Sequence, residues 1–129
     1  MSKKILVDTD VMIDFLQGVD QAANYIHTHS EQIVLSVITT AELYTGVKKG
    51  EERKNLDAFF RLFTVVPVTQ GIAMTSGTFK RDYTKRCGLG LADAVIAATA
   101  YHQKALLKTF NLKHFPMLKD VQPPYIKRA

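Results

Sequence analysis

Three consecutive branched aliphatic residues, Ile5-Leu6-Val7, run straight into Asp8-Thr9-Asp10. The apolar run has no polar alternation, which predicts a strand buried on both faces, as in the middle of a parallel sheet. Asp8 then falls at the carboxyl end of that strand, the edge of an open α/β sheet where ligands and reacting groups collect. Aspartate is also a favoured helix N-cap. Asp10, directly ahead of Val11-Met12-Ile13, is the better placed cap. That assignment leaves Asp8 with no structural duty and makes it a candidate functional acid.

Further along, strand and helix signals alternate. Val11 to Gln17 reads as a short helix closed by Gly18, and Gln21 to His29 as a second, weaker one. Ile33 to Val37 is a second buried strand. It leads into a helix for which Thr39 or Thr40 is a natural N-cap, and Thr39 with Glu42 has the spacing of a capping box. Lys48 to Lys54 reads as a charged turn. Leu56, Phe59, Phe60, Leu62 and Phe63 follow at helical spacing, fit for the core or for contact with a second subunit. Val65 to Val68 is a third strand, with Pro67 marking its end or an edge position. Ile72 to Arg86 is a longer helix, broken by Cys87-Gly88-Leu89-Gly90. Leu91 to His102 is a helix rich in alanine whose single acid, Asp93, lies at its start, where an N-cap role is the plain account. Ala105 to Thr109 gives a fourth strand, Val121 an edge strand, and Gln122 to Ala129 a tail with a basic end. Alternating elements with buried-type strands predict a three-layer α/β/α sandwich on a mostly parallel sheet of four or five strands.

The 129 residues suit one domain, taken as residues 1–129 with the tail at 122–129. The formal net charge of +5 favours an acidic partner such as nucleic acid. A single cysteine, Cys87, rules out a disulfide framework and a thiolate zinc site, and fits a reducing cytoplasm. No apolar run is long enough for a membrane span.

Asp8, Glu42 and Asp93 each lie at a strand end or helix start, and in a parallel sheet such positions share one edge. Two carboxylates about 5 Å apart repel by roughly 3 kcal/mol at an effective dielectric near 20. A third compounds the problem, so a cluster of this kind holds protons or binds a cation. Ligands that are all oxygen favour a hard divalent ion, Mg²⁺ or Mn²⁺.

Four blocks in this order resemble the PIN domain, and within it the VapC-type toxins of bacterial and archaeal toxin–antitoxin pairs. They are Val7-Asp8-Thr9-Asp10-Val11 through Leu16, Thr40-Ala41-Glu42-Leu43, Leu91-Ala92-Asp93-Ala94-Val95-Ile96-Ala97, and Leu107-Lys108-Thr109-Phe110-Asn111-Leu112-Lys113-His114-Phe115. The resemblance implies a metal-dependent endoribonuclease that leaves 5′-phosphate and 3′-hydroxyl ends. It implies Asp8, Glu42 and Asp93 as ligands of Mg²⁺ or Mn²⁺, with Thr9, Thr109 and Asn111 as supporting polar groups. It also implies an antitoxin partner and a homodimer, for which the Phe59, Phe60 and Phe63 helix is the expected contact. No acid stands between Asp93 and Asp120, where many members of the family carry a fourth. One firmly held ion is therefore expected, with any second arriving with substrate. An acidic site repels RNA, so cations on its rim must draw the backbone in. Lys48, Lys49, Lys80, Arg81, Lys85, Arg86, Lys113 and His114 are the candidates.

Three other readings compete. A haloacid-dehalogenase-like phosphatase shares the D-x-D after a strand, yet it needs a downstream lysine and a late acidic pair, and Asp93 has no acidic neighbour. A phosphoacceptor receiver domain needs an aspartate on the third strand, where Val65 to Val68 has none. A PIN-like domain that binds RNA without cutting is opposed by the complete trio of acids.

Overall fold

The computed structural model describes residues 3–127. Four short parallel strands form the sheet: β1 (Ile5–Val7), β2 (Ile33–Ser36), β3 (Thr64–Val66) and β4 (Leu106–Lys108), in the order β3-β2-β1-β4. β1 is thus internal, as its unbroken aliphatic run predicts. It pairs Ile5 with Ile33 on one side and with Leu106 on the other. In place of a fifth strand at Val121 there is a single parallel bridge, Lys108 to Gln122.

The alternation of side chains along β1 and β2 feeds two cores. Leu6, Val34 and Leu107 face α5 (Gln70–Cys87) and α6 (Leu91–Gln103), meeting Ile72, Val95 and Ile96. Ile5, Val7, Ile33 and Leu35 face the opposite layer, where Val11 and Met12 of α1 (Thr9–Leu16), Ile26 of α2 (Asp20–Thr28), and Leu56 and Phe59 of α4 (Glu51–Phe60) close over them. Leu6 and Leu35 are wholly buried, and truncating such a leucine to alanine costs about 2–5 kcal/mol. The result is the three-layer sandwich that the alternation of elements predicts.

Several local expectations are corrected. The cap of α1 is Asp8 itself, whose carboxylate accepts from the Thr9 N–H at 2.8 Å, and Asp10 lies in the first turn. α3 (Val37–Thr45) starts earlier than expected because Ser36 ends β2 and caps the helix, its hydroxyl accepting from the Ile38 N–H at 3.1 Å. Thr39 is therefore inside α3, and no capping box with Glu42 exists. The cap of α6 is Gly90, with Asp93 in the first turn. The charged stretch 48–54 is only partly a turn. Gly50, at φ 89°, takes a conformation that other residues rarely adopt, and α4 follows at once with Glu51 and Glu52 in its first turn. There their charge complements the helix dipole.

Phe59, expected as a possible subunit contact, is buried in the chain's own core among Phe15, Phe60 and Phe63. The stretch read as a tail is docked through Lys127. Gln21 donates to the Ile126 carbonyl at 2.8 Å, and Tyr125 donates to Asp14 at 2.9 Å. Lys127 reaches Asp14 at 3.3 Å and lies 4.3 Å over the Phe110 ring. Arg128 and Ala129 lie outside the described residues. Among the described residues no helix is long and apolar enough to cross a membrane.

Candidate active site

Parallel strands place all their carboxyl ends on one edge, and the helices that follow begin there. Asp8 ends β1, Ser36 ends β2, and Thr109 follows β4. The Asp8 N–H donates to the Lys108 carbonyl at 3.0 Å, which ties Asp8 to the end of β4. Its carboxylate is buried. Oδ1 accepts from the Thr9 N–H at 2.8 Å, and Oδ2 accepts from the Thr109 hydroxyl at 2.7 Å. Two good donors do not offset what burial costs a charge in this position. Burial first, then the neighbouring charge of Asp10, and less strongly that of Asp93, push the Asp8 carboxyl up to about 7, against the two donors.

Asp10, read from sequence as a simple cap, belongs to this constellation. It accepts from the Val11 N–H at 2.7 Å and from the Phe110 N–H at 3.0 Å, so it pins the loop after β4 onto α1. Burial raises its carboxyl as well, and those backbone donors, the Thr109 hydroxyl and the Lys127 charge work in the opposite direction. The D-x-D spacing with Asp8 is the sequence signal that points to this role.

Glu42, one helical turn beyond Thr39 on α3, reaches the same place through Thr9. The Thr9 hydroxyl donates to Glu42 Oε1 at 2.7 Å, and it lies 2.9 Å from the hydroxyl of Thr39. Asp93, in the first turn of α6, contacts His114 Nδ1 through Oδ2 at 3.0 Å, and the same nitrogen lies 2.7 Å from the Asn111 amide. The Asn111 N–H also donates to the Thr109 hydroxyl at 3.0 Å. Asp8, Thr9, Glu42, Thr109, Asn111 and Asp93 thus lie on one connected edge of the molecule, and His114 joins them as the partner of Asp93.

The acids do not form a closed cage. Among the described residues no three histidines, cysteines or acids stand close enough together to hold an ion between them. Glu42 and Asp93 are each turned to an internal partner, Thr9 and His114. The chemistry of the donors nonetheless fits a hard divalent cation. Every candidate is a carboxylate or hydroxyl oxygen, and one buried carboxylate is held partly protonated at neutral pH by its surroundings, a state that a nearby cation reverses.

The basic candidates are divided. Lys48, Lys49, Lys85 and Lys113 are exposed. Lys80 donates to the Leu89 carbonyl at 3.1 Å, which closes the α5–α6 connection, and Arg81 pairs with Asp82 at 2.8 Å. Arg86 lies over the Tyr83 ring. Lys127, not singled out from sequence, stands beside the acidic edge next to Asp14 and Phe110. Beside Glu42 an apolar groove of about 480 Å³ runs between α1, α3 and α4, lined by Ile13, Leu16, Leu43, Val47 and Leu56.

The profile of the PIN domain matches residues 5–118, nearly the whole chain, and the chain belongs to the PIN-domain family. Within that family its likeness is to the VapC type. It is 38% identical to Ribonuclease VapC10 of Mycobacterium tuberculosis over 124 residues, covering 94% of this chain and 92% of that one. Ribonuclease VapC19 of the same species is also 38% identical, over 93% of this chain and 98% of its own. Among solved structures, a toxin–antitoxin complex from Klebsiella pneumoniae contains a chain with a TM-score of 0.82 at 30% identity, covering 95% of this chain and 98% of that one.

The raised Asp8 carboxyl has a consequence for stability. The folded chain binds a proton at Asp8 up to about pH 7, whereas an unfolded aspartate releases it near 3.8. Stability must therefore fall as pH rises between those values. The full cost above that window is on the order of 4 kcal/mol. Asp8→Asn keeps an acceptor for the Thr9 N–H and removes the charge. In urea denaturation with chelator present, Asp8→Asn is expected to be more stable than wild type near about pH 8, with the gain shrinking toward about pH 4. A variant less stable at every pH contradicts this electrostatic account.

Proposed function

We propose that the chain is a divalent-metal-dependent endoribonuclease and the toxin of a toxin–antitoxin pair, hydrolysing RNA to 5′-phosphate and 3′-hydroxyl ends. The observation that carries the reading is the buried Asp8 carboxylate, crowded by Asp10 and Asp93 and joined through Thr9 to Glu42. The names of the relatives as ribonucleases support it from outside the structure. In this reading Asp8, Glu42 and Asp93 hold Mg²⁺ or Mn²⁺, most firmly a single ion. When bound, the ion supplies positive charge that activates a water and offsets the charge growing on the phosphodiester.

The chain's own groups do the rest. Thr109 and the Thr9 N–H fix both oxygens of Asp8. His114, with its proton on Nδ1, donates to Asp93 and orients it. Glu42 and Asp93 are the acids open enough to solvent to accept the proton of the attacking water. Lys48, Lys49, Lys85, Lys113 and Lys127 supply cations around an acidic edge that would otherwise repel RNA.

Purified protein with Mg²⁺ or Mn²⁺ is expected to cut RNA, leaving 5′ ends that ligate without prior phosphorylation. Excess chelator should abolish the cutting, and Asp8→Asn or Asp93→Asn should lower it by about a hundredfold or more with the fold intact. Undiminished cutting in chelator overturns the reading, and RNA binding without cutting under all these conditions favours the non-cleaving alternative.

The antitoxin reading rests on the groove beside Glu42. The structural relative is a toxin–antitoxin complex, and an apolar cleft lined by Ile13, Leu16 and Leu43 suits a partner segment with apolar side chains at helical spacing. Such a segment would cover the acidic edge. Leu16, half exposed in the cleft, is the test position: Leu16→Asp is expected to weaken binding of the cognate antitoxin by about tenfold or more in calorimetry. Unchanged affinity places the antitoxin elsewhere. The homodimer is part of the same proposal and is tested by light scattering.

A further inference from the structure

Five helical hydroxyls in this protein spend their proton on their own helix. Thr45, Thr78, Thr84 and Thr99, and likewise Ser76, each donate to the carbonyl four residues earlier. Thr39 does not. Its side chain is wholly buried, lies in the first turn of α3, and has the Thr9 hydroxyl, 2.9 Å away, as its partner. Thr9 in turn donates to Glu42 Oε1 at 2.7 Å.

Proton counting fixes the direction of this chain. A carboxylate only accepts, so the Thr9 hydroxyl gives its one proton to Glu42. It has none left for Thr39. The Thr39 hydroxyl must therefore be the donor in the 2.9 Å contact, and the order is Thr39 to Thr9 to Glu42. A β-branched threonine in a helix has few χ1 choices, and Thr39 is enclosed on all sides. The chain therefore begins at a fixed point inside the fold and ends on an acid at the solvent edge. Donor chains of this kind polarise one another, which strengthens the last bond.

We propose that Thr39 is a positioning residue of the site: through the Thr9 hydroxyl it fixes where the Glu42 carboxylate stands and so tunes how tightly the site takes a divalent cation. The inference deepens the proposed function and rests on Glu42 as a ligand. Thr9 also caps the link from the other side, because its N–H serves Asp8 while its hydroxyl serves Glu42. Thr39 thus acts on Glu42 through a neighbour that also holds Asp8. Partners that orient ligands in this way change metal affinity by about ten- to a hundredfold when removed.

The test is Mn²⁺ calorimetry on full-length Thr39→Val, Thr39→Ser, Thr9→Val, the Thr39→Val/Thr9→Val pair and Glu42→Gln, with thermal melts in chelator alongside. Thr39→Val keeps the shape and loses the donor, and is expected to raise the Mn²⁺ Kd about tenfold or more; Thr39→Ser, which keeps the donor, should stay within about twofold of wild type. The double variant should lose no more than Thr9→Val alone, because both substitutions break one chain. Wild-type Kd in Thr39→Val, while Glu42→Gln loses affinity, overturns the positioning role and leaves the metal site standing. Wild-type Kd in Glu42→Gln instead removes Glu42 from the site, and the present inference with it. If Thr39→Val does not fold, Thr9→Val decides: unaltered Mn²⁺ binding there overturns the chain of donors.

Discussion

A carboxylate held out of water at the end of an internal strand is the constraint on which the rest of this structure depends. Asp8 is tied by its backbone to β4 and by its side chain to the start of α1. It therefore has no freedom to swing into solvent when it ionises. The fold supplies partial compensation: the Thr9 N–H, the Thr109 hydroxyl, and the amino-terminal end of α1, which Asp8 caps. Burial and the charge of Asp10 still outweigh these, and the carboxyl is left near 7. A cation beside Asp8 would offset this cost, and that is the chemistry the proposed metal site relies on.

The neighbouring acids are kept apart by individual donors. Glu42 is engaged by Thr9, Asp93 contacts His114, and Asp10 is engaged by the Phe110 and Val11 backbone. Burial nonetheless raises the Asp10 carboxyl against its donors, and the charges of Asp10 and Asp93 raise that of Asp8. Among the described residues the acids share one edge without forming a group of three within reach of a common ion. Threonine hydroxyls stand between acids, Thr9 beside Glu42 and Thr109 between Asp8 and Asp10.

Much of the fold was legible because its strands are buried on both faces. Ile5-Leu6-Val7 and Ile33-Val34-Leu35 announce internal strands without help from tertiary contacts, and the glycines at 88 and 90 separate α5 from α6. The helix starts were harder. The sequence points to Thr39 or Thr40 as the cap of α3 and to Asp10 as the cap of α1, whereas packing selects Ser36 and Asp8. That choice mattered, because assigning Thr39 to a cap concealed its hydrogen bond to Thr9, and assigning Asp10 to a cap concealed its hold on Phe110. From sequence His114 is a rim cation, because nothing there brings residues 93 and 114 together. The bridge at Gln122 and the docking of Tyr125 and Lys127 were hidden for the same reason: a short polar segment with prolines looks alike whether it is packed or loose.

Anomalous scattering from Mn²⁺ in crystals of the protein tests the central claim most directly, since it locates the ion without reference to activity. The account predicts one strong peak at the carboxyl edge of the sheet, within coordination distance of Asp8 and bordered by Glu42 and Asp93. A peak that avoids Asp8, or its absence at Mn²⁺ concentrations that support RNA cleavage, contradicts the claim that these acids converge to hold the ion.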